Sequence, residues 1–255
     1  MLTIFQYRQL LAFLVRKELR IKYRDTLLGY FWSLLEPIGL MVIYSIVFSF
    51  IAKFSVPNYP LYLISGLIPW MFVNHSVSGG TRVLQANASL LKKVFFPRQI
   101  FPLTVVTTNA VNLFISLVLI SIFSIIMSSL NYSAMIFLPF VLMLQFMLVL
   151  SVVLILSAIS VYYRDVEFIS NLALRGWMYL SPIIYPISIV PDRFQDLYML
   201  NPMATIISLY HHIFHGTVDE LQIKWVLYTV GLAIVLLLIS WKLFDKLSKR
   251  MGEVI

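Results

Sequence analysis

Acid–base chemistry has two acidic groupings to draw on in this sequence, Asp165 with Glu167 and Asp192 with Asp196. A catalytic role would need a base clustered with one of them, and these pairs are all that is offered. His211, His212 and His215 stand close together. Helical spacing puts two of those imidazoles on one face, short of the ligand count of a zinc site. The other reading of the trio is a polar outer surface. Cysteine is absent, as is any HExxH motif. A GxxxxGK(S/T) loop is also missing, so the chain lacks the phosphate cradle that ATP hydrolysis requires. No carboxylate lies in the middle of an apolar run, where a proton-coupled carrier buries one. Glu36 sits near the start of the first run, beside Pro37, and reads as an interface feature. No catalytic residue and no metal ligand is therefore assigned, and the energy source belongs on another chain.

The elements that must position any function here are apolar. Of 255 residues, 60% are hydrophobic and 12% charged, against roughly 25% charged in soluble domains. A soluble core cannot absorb that excess, because much of a domain this size stays wet. Runs of about twenty residues hold no Lys, Arg, Asp or Glu, enough to cross a hydrocarbon layer of about 30 Å as helices. A barrel would show alternating segments of roughly ten residues. The expected fold is an all-α integral membrane protein with transmembrane helices at 31–52, 61–82, 101–129, 135–161, 168–186 and 225–244. It reads as a single domain over 1–255: an interface helix in 1–30, spans one to five in 31–186, outer gate helices in 187–219, and span six with a tail in 222–255.

The net charge of +8 is read as topology and not as a nucleic-acid footprint, because most basic residues flank apolar runs. Alternate loops hold sixteen Lys and Arg on one side and three on the other. The basic side is cytoplasmic, which places both termini inside. The segment 1–24 is basic throughout and lacks a cleavage-like site, so it does not read as a signal peptide.

Three stretches depart from a plain bundle. In 5–30, Leu10, Leu11, Leu14 and Leu19 recur at helical spacing beside Arg16, Lys17, Arg20, Lys22 and Arg24. That pattern suits a helix lying in the membrane interface, or a soluble helix packed on a partner. In 85–102, a helical continuation ends at Lys92 and Lys93, with Pro97 and Pro102 as breakers. It reads as a docking element or as an ordinary cytoplasmic loop. In 187–219, Pro191 and Pro202 follow Pro182 and Pro186 and cut an apolar stretch into pieces too short to span. Such pieces read as short re-entrant helices at 192–200 and 204–215, or as an inert hairpin.

The third span carries Thr104, Thr108, Asn112 and Ser116 at successive helical turns. This stripe is either small-hydroxyl helix packing or the lining of a pathway. Aromatic residues are abundant, at 19 Phe, 14 Tyr and 5 Trp. Most suit interfacial anchoring. A minority, with Trp32 and Trp70 as candidates, would offer ring faces to sugars along a path.

The opening segment reads Lys22-Tyr23-Arg24-Asp25, then Leu28-Gly29, Trp32 and Leu35-Glu36-Pro37. Further on come Gly66-Leu67-Ile68-Pro69-Trp70, Asn87 through Lys93 with Ser89 and Leu90, and Phe96-Pro97-Arg98. Tyr163-Arg164-Asp165-Val166, Ser181-Pro182 with Tyr185-Pro186, and Asn201-Pro202-Met203 follow. In this order, over nearly the whole chain, the motifs resemble ABC-2 type permeases that export bacterial surface polysaccharide, most closely those for O-antigen. Capsule and teichoic-acid permeases are similar, and a permease for a small amphiphile or drug shares the fold.

The resemblance implies six transmembrane helices, a homodimer, and two copies of a separate ATP-binding-cassette subunit that carries ATP and Mg. The chain itself would need no cofactor. The substrate implied is a polysaccharide on undecaprenyl diphosphate, moved to the outer face of the bacterial inner membrane. A docking surface for the ATPase is implied at Asn87, Ser89, Leu90, Lys92, Lys93, Phe96, Pro97 and Arg98. An outer gate is implied at Pro182, Tyr185, Pro186, Asn201 and Pro202. His211 stands where such permeases often carry Arg. A long hydrophilic polymer needs a continuous conduit, which twelve helices enclose better than six. A cationic site for the lipid diphosphate is expected at Arg16, Lys17, Arg20, Lys22 and Arg24.

Overall fold

The structure is a computed structural model and describes residues 6–24, 29–51, 56–93, 96–216, 222–249 and 251. Among them no strand occurs. The chain runs through α1 (Arg8–Tyr23), α2 (Trp32–Ser45), α3 (Tyr59–Ala86), α4 (Ala88–Lys93), α5 (Ile100–Ile126), α6 (Leu138–Ser160), α7 (Asp165–Tyr179), α8 (Asp192–Met199), α9 (Pro202–Phe214) and α10 (Ile223–Ser248). Among the described residues, three helical stretches are long and apolar enough to cross a membrane: Ile100–Ile126, Ala134–Ser160 and Ile223–Ser248. Trp32–Phe48 is apolar but shorter.

The described part of the N-terminal segment is helical, as its spacing predicts. Leu14, Val15 and Tyr23 of α1 are buried, while Arg16 and Arg20 stay exposed. Phe13 and Ile21 are exposed as well. The helix packs on α5, and the Tyr23 hydroxyl donates to Asn112 Oδ1 at 2.9 Å.

Helix α2 carries Pro37 within it and runs on into a π-helical turn, Ile46–Ile51. Proline has no N–H, so the Ser33 carbonyl one turn back loses its helical donor. Ser116 Oγ of α5 donates to that carbonyl at 3.2 Å. One hydroxyl of the polar stripe therefore makes Pro37 tolerable in an apolar setting.

Helix α3 is the central pillar. It packs against α2, α5, α6, α7 and α9, and every residue from 61 to 70 is buried. At Gly80 an added Cβ would run into the Val153 side chain, so α3 and α6 cross without room for a methyl group. Gln145 of α6, fully buried, donates to the Pro69 carbonyl at 2.9 Å and accepts from the Tyr210 hydroxyl at 2.8 Å. That amide ties α3, α6 and α9 together.

Two elements differ from the lengths expected. The span expected at 168–186 is helical only as α7, which has 15 residues. Pro182 disfavours helical backbone at Ser181, and the chain leaves the helix after Tyr179. The continuation expected after residue 85 breaks at Asn87, whose Nδ2 donates back to the Val83 carbonyl at 2.8 Å. Its own carbonyl then starts α4 by accepting from Leu90 N at 3.0 Å.

Candidate functional site

The polar stripe of α5 faces inward. Thr104, Thr108, Asn112 and Ser116 are all buried. Thr104 and Thr108 line a cleft of about 520 Å³ between α1, α2, α3 and α5. Asn112 and Ser116 line a recess of about 30 Å³ that shares Lys22, Glu36, His75 and Asn109 with the cleft. The recess has room for a water molecule or a ligand hydroxyl. Two of the four stripe residues thus line the cleft and two line the recess.

The opposite side is ionisable. Glu36 of α2 approaches His75 of α3, with Oε1 to Nε2 at 3.4 Å. Lys22 reaches in from α1, and partial desolvation of its ammonium lowers its pKa while the Glu36 carboxylate opposes that shift. Of the basic residues expected to meet a lipid diphosphate, Lys22 lines this cleft; Arg16, Arg20 and Arg24 are exposed and Lys17 is half-buried. Arg82 also borders the cleft, with its guanidinium paired to Glu167 of α7. The sequence reading passed over the Glu36–His75 pair, because nothing local in either segment announces the other.

Trp32 and Trp70 separate from the stripe. Trp32 is exposed, whereas Trp70 is buried edge-on against Trp177, with centroids 5.9 Å apart.

The candidate gate residues are held by one network. Asn201 Oδ1 accepts from Trp177 Nε1 at 2.7 Å and from Met203 N at 3.0 Å, capping α9. Asn201 Nδ2 donates to the Leu180 carbonyl at 2.7 Å and to Ser181 Oγ at 2.9 Å. The Pro182 carbonyl accepts from the Tyr62 hydroxyl at 3.2 Å and from His211 Nε2 at 2.8 Å. The single Tyr62 hydroxyl proton is shared with the Tyr185 carbonyl at 3.1 Å, and the Tyr59 hydroxyl donates to the Ile184 carbonyl at 2.8 Å. The non-helical backbone of 180–186 is thereby satisfied by side chains from α3 and α9, the condition for irregular backbone inside a membrane protein. Pro186 and Pro202 flank the network, and Pro202 opens α9 where its missing N–H costs nothing.

His211 has a definite place in that network. It is fully buried and stacks on Tyr62 with centroids 3.9 Å apart. Since Nε2 donates to a carbonyl, Nδ1 is the acceptor of the neutral ring, and it lies 2.7 Å from Ser65 Oγ. Gly66 leaves the space: a Cβ there would meet Ile183 Cα at 3.1 Å and His211 Cε1 at 3.2 Å. The three histidines form no metal site among the described residues.

The candidate docking segment divides into inward and outward parts. The Arg98 guanidinium donates to the Ser248 carbonyl, and Gln99 Nε2 to the Asp245 carboxylate. Tyr162 donates to the Leu247 carbonyl at 2.8 Å. The Arg98 and Tyr162 bonds satisfy two of the last carbonyls of α10, which a helix end otherwise leaves open. Phe96 packs against Phe101 at 5.5 Å, and Pro97 borders a surface cleft of about 440 Å³ shared with Ser248 and Lys249. Ser89 and Leu90 are exposed. The side chains of Lys92 and Lys93 lie outside the described residues.

The sequence of residues 9–215 matches the model of a family described as ABC-2 type transporter. The chain is 32% identical over 214 residues to the O-antigen export system permease protein RfbA of Myxococcus xanthus, covering 83% of this chain and 82% of that one. It is 28% identical over 248 residues to the protein of the same name from Klebsiella pneumoniae, covering 96% and 95%. The polysialic acid transport protein KpsM of Escherichia coli is 22% identical over 200 residues, covering 76% of each chain. With this extent of similarity, and a bundle of helices of membrane-crossing length, the chain belongs to the ABC-2 type transporter family of membrane permeases.

Proposed function

We propose that this chain is the membrane subunit of an ATP-driven exporter that moves undecaprenyl-diphosphate-linked polysaccharide, of O-antigen type, from the cytoplasmic to the outer face of the inner membrane. The observation that carries this reading is similarity along 96% of the chain to an O-antigen export permease. The absence from the sequence of a phosphate loop supports a separate ATPase subunit, which would hold ATP and Mg.

In this reading six segments cross the membrane: α2 with its π turn, α3, α5, α6, α7 with the residues after it, and α10. Helices α8 and α9 re-enter from the outer side. Both termini lie in the cytoplasm, by the bias of Lys and Arg among the loops. Two copies enclose the conduit, and two ATPase subunits dock at α4 and the loop that follows it. The 180–186 segment and α9 close the outer mouth.

The test is deletion of the gene with complementation, together with co-purification of an ATP-binding-cassette subunit. Loss of surface polysaccharide on deletion and its return on complementation are expected. Normal surface polysaccharide in a clean deletion strain overturns the reading. A capsule-type polymer is the second reading, favoured by the similarity to KpsM. Analysis of which surface polymer is lost separates the two.

A further inference from the structure

Helices α3 and α7 run antiparallel in a regular register. The Arg82 guanidinium pairs with Glu167, Ser78 Oγ donates to Asn171 Oδ1 at 2.8 Å, and Trp70 meets Trp177 edge-on. Each step toward the start of α3 is a step toward the end of α7. Between the Ser78 and Trp70 contacts, that register brings residues 74 and 175 level. Arg175 is exposed, and among the described residues neither a hydrogen bond nor an ion pair reaches it. Its depth follows from α3. In the span expected at 61–82, residue 74 stands about 12 Å of helix from the basic end at Arg82, further than an arginine side chain extends. Snorkelling along α7 does not return the guanidinium to water from there.

A cation in hydrocarbon is costly, and intramembrane arginines face a bundle interior or a water-filled path. The face of α7 that bears Arg175 is not the interior of this bundle. Ser170 and Leu174 are buried on the other side, while Arg164, Phe168, Leu172 and Tyr179 share the exposed face. Helix α10 shows what a lipid-suited face looks like: Leu227, Ile234 and Leu238 are exposed, and no charge occurs from 225 to 241. The exposed face of α7 therefore borders water. A guanidinium is permanently charged and forks onto phosphate or carboxylate oxygens. The substrate proposed above carries a diphosphate, and that anion must cross the same depth.

We infer that Arg175 stands in the wall of the export path and pairs with the diphosphate that joins sugar to lipid as the substrate crosses. The assignment rests on the exporter reading above and adds to it a cation near mid-depth. It also makes the Arg175 face of α7 a wall of the water-filled path.

The test uses the full permease–ATPase complex in nanodiscs. The chain has no cysteine, so Arg175→Cys and Ile234→Cys each give it one thiol. Ile234 is the control, an exposed apolar position in the middle of α10. A water-soluble methanethiosulfonate should modify Arg175→Cys about tenfold faster than Ile234→Cys, because the reactive thiolate forms in water and not in lipid. Equally slow modification of both sets Arg175 against lipid and overturns the path. The binding probes are farnesyl diphosphate bearing one glucose and farnesyl glucoside, which lacks phosphate. Arg175→Gln should weaken the first by about tenfold and leave the second unchanged. Arg175→Lys, which keeps the charge, should recover most of that loss. Equal sensitivity of the two probes, or none, overturns the diphosphate contact. Loss of the two-copy assembly in Arg175→Gln with probe binding intact assigns the guanidinium to a carboxylate of the second copy and overturns it too. A deletion strain with normal surface polysaccharide overturns the exporter reading instead, so the two failures are distinguishable.

Discussion

Asn201 satisfies four partners with one amide: the Trp177 indole, the first turn of α9, and two groups of the 180–181 backbone and side chain. Neither half of the amide is replaceable. Asn201→Ala should lower stability by about 2 kcal/mol, from the lost cap and the stranded Trp177 N–H, read as a fall in thermal unfolding temperature of the purified protein. Asn201→Asp should also destabilise, because a carboxylate cannot donate to the Leu180 carbonyl. His211 is the second residue on which this region depends. Its stacking on Tyr62 and the lack of space at Gly66 leave no slot for a longer, permanently charged side chain. His211→Arg should therefore destabilise by about 3 kcal/mol. Recovery of wild-type stability in that variant would show that the surrounding side chains open a route to water.

Elements are joined here by side chains bonded to backbone at helix ends and breaks. Helix α1 has its tether in Tyr23 and Asn112. Tyr23→Phe removes one hydrogen bond, worth about 1 kcal/mol, and should raise amide hydrogen exchange in α1 while leaving α6 unchanged. At the other candidate contact surface, Arg98 and Gln99 fasten the loop after α4 to the last turn of α10. Arg98→Ala should speed exchange at the end of α10 more than at its start. Should that variant also lose the ATPase on purification, the loop and the end of α10 act as one docking unit. An unchanged exchange pattern would mean that the Tyr162 bond alone holds the helix end.

For the whole molecule, the proposed arrangement of six spans with both ends inside makes a direct prediction. The sequence contains no cysteine, so single cysteines can be placed without further changes. Tyr132→Cys, at an exposed position between α5 and α6, should be labelled by an impermeant maleimide from the outer side. Lys249→Cys, just past α10, should be labelled only after the cytoplasmic side is opened. Labelling of both from the same side overturns the three crossings that the six-span arrangement places between them. The outward faces of α5, with Phe114, Val118, Ile122 and Ile126 exposed, are the surfaces that lipid or a second copy would cover.

Much of this was legible in the chain. The apolar runs at 101–129, 135–161 and 225–244 became α5, the stretch through α6, and α10, because length and apolarity alone suit those segments to a membrane. Prolines at 182, 191 and 202 marked the breaks that α7, α8 and α9 respect, since a missing N–H acts locally. The period of Thr104, Thr108, Asn112 and Ser116 put four polar groups on one face. What covers that face was not legible. Periodicity states which residues share a side of a helix and is silent about the neighbour that packs there. Tyr23 and Asn112 are 89 residues apart, and Ser65 and His211 are 146 apart. Such meetings depend on how helices cross, at places such as Gly80 against Val153, and no local pattern encodes a crossing. The sequence by itself therefore determined that this is a membrane chain with an amphipathic N-terminal helix, proline-cut short pieces before its last span and an inward-capable polar stripe. Only the tertiary structure decided that Lys22, Glu36 and His75 line both of the spaces that the stripe borders, and that His211 supports the 180–186 segment.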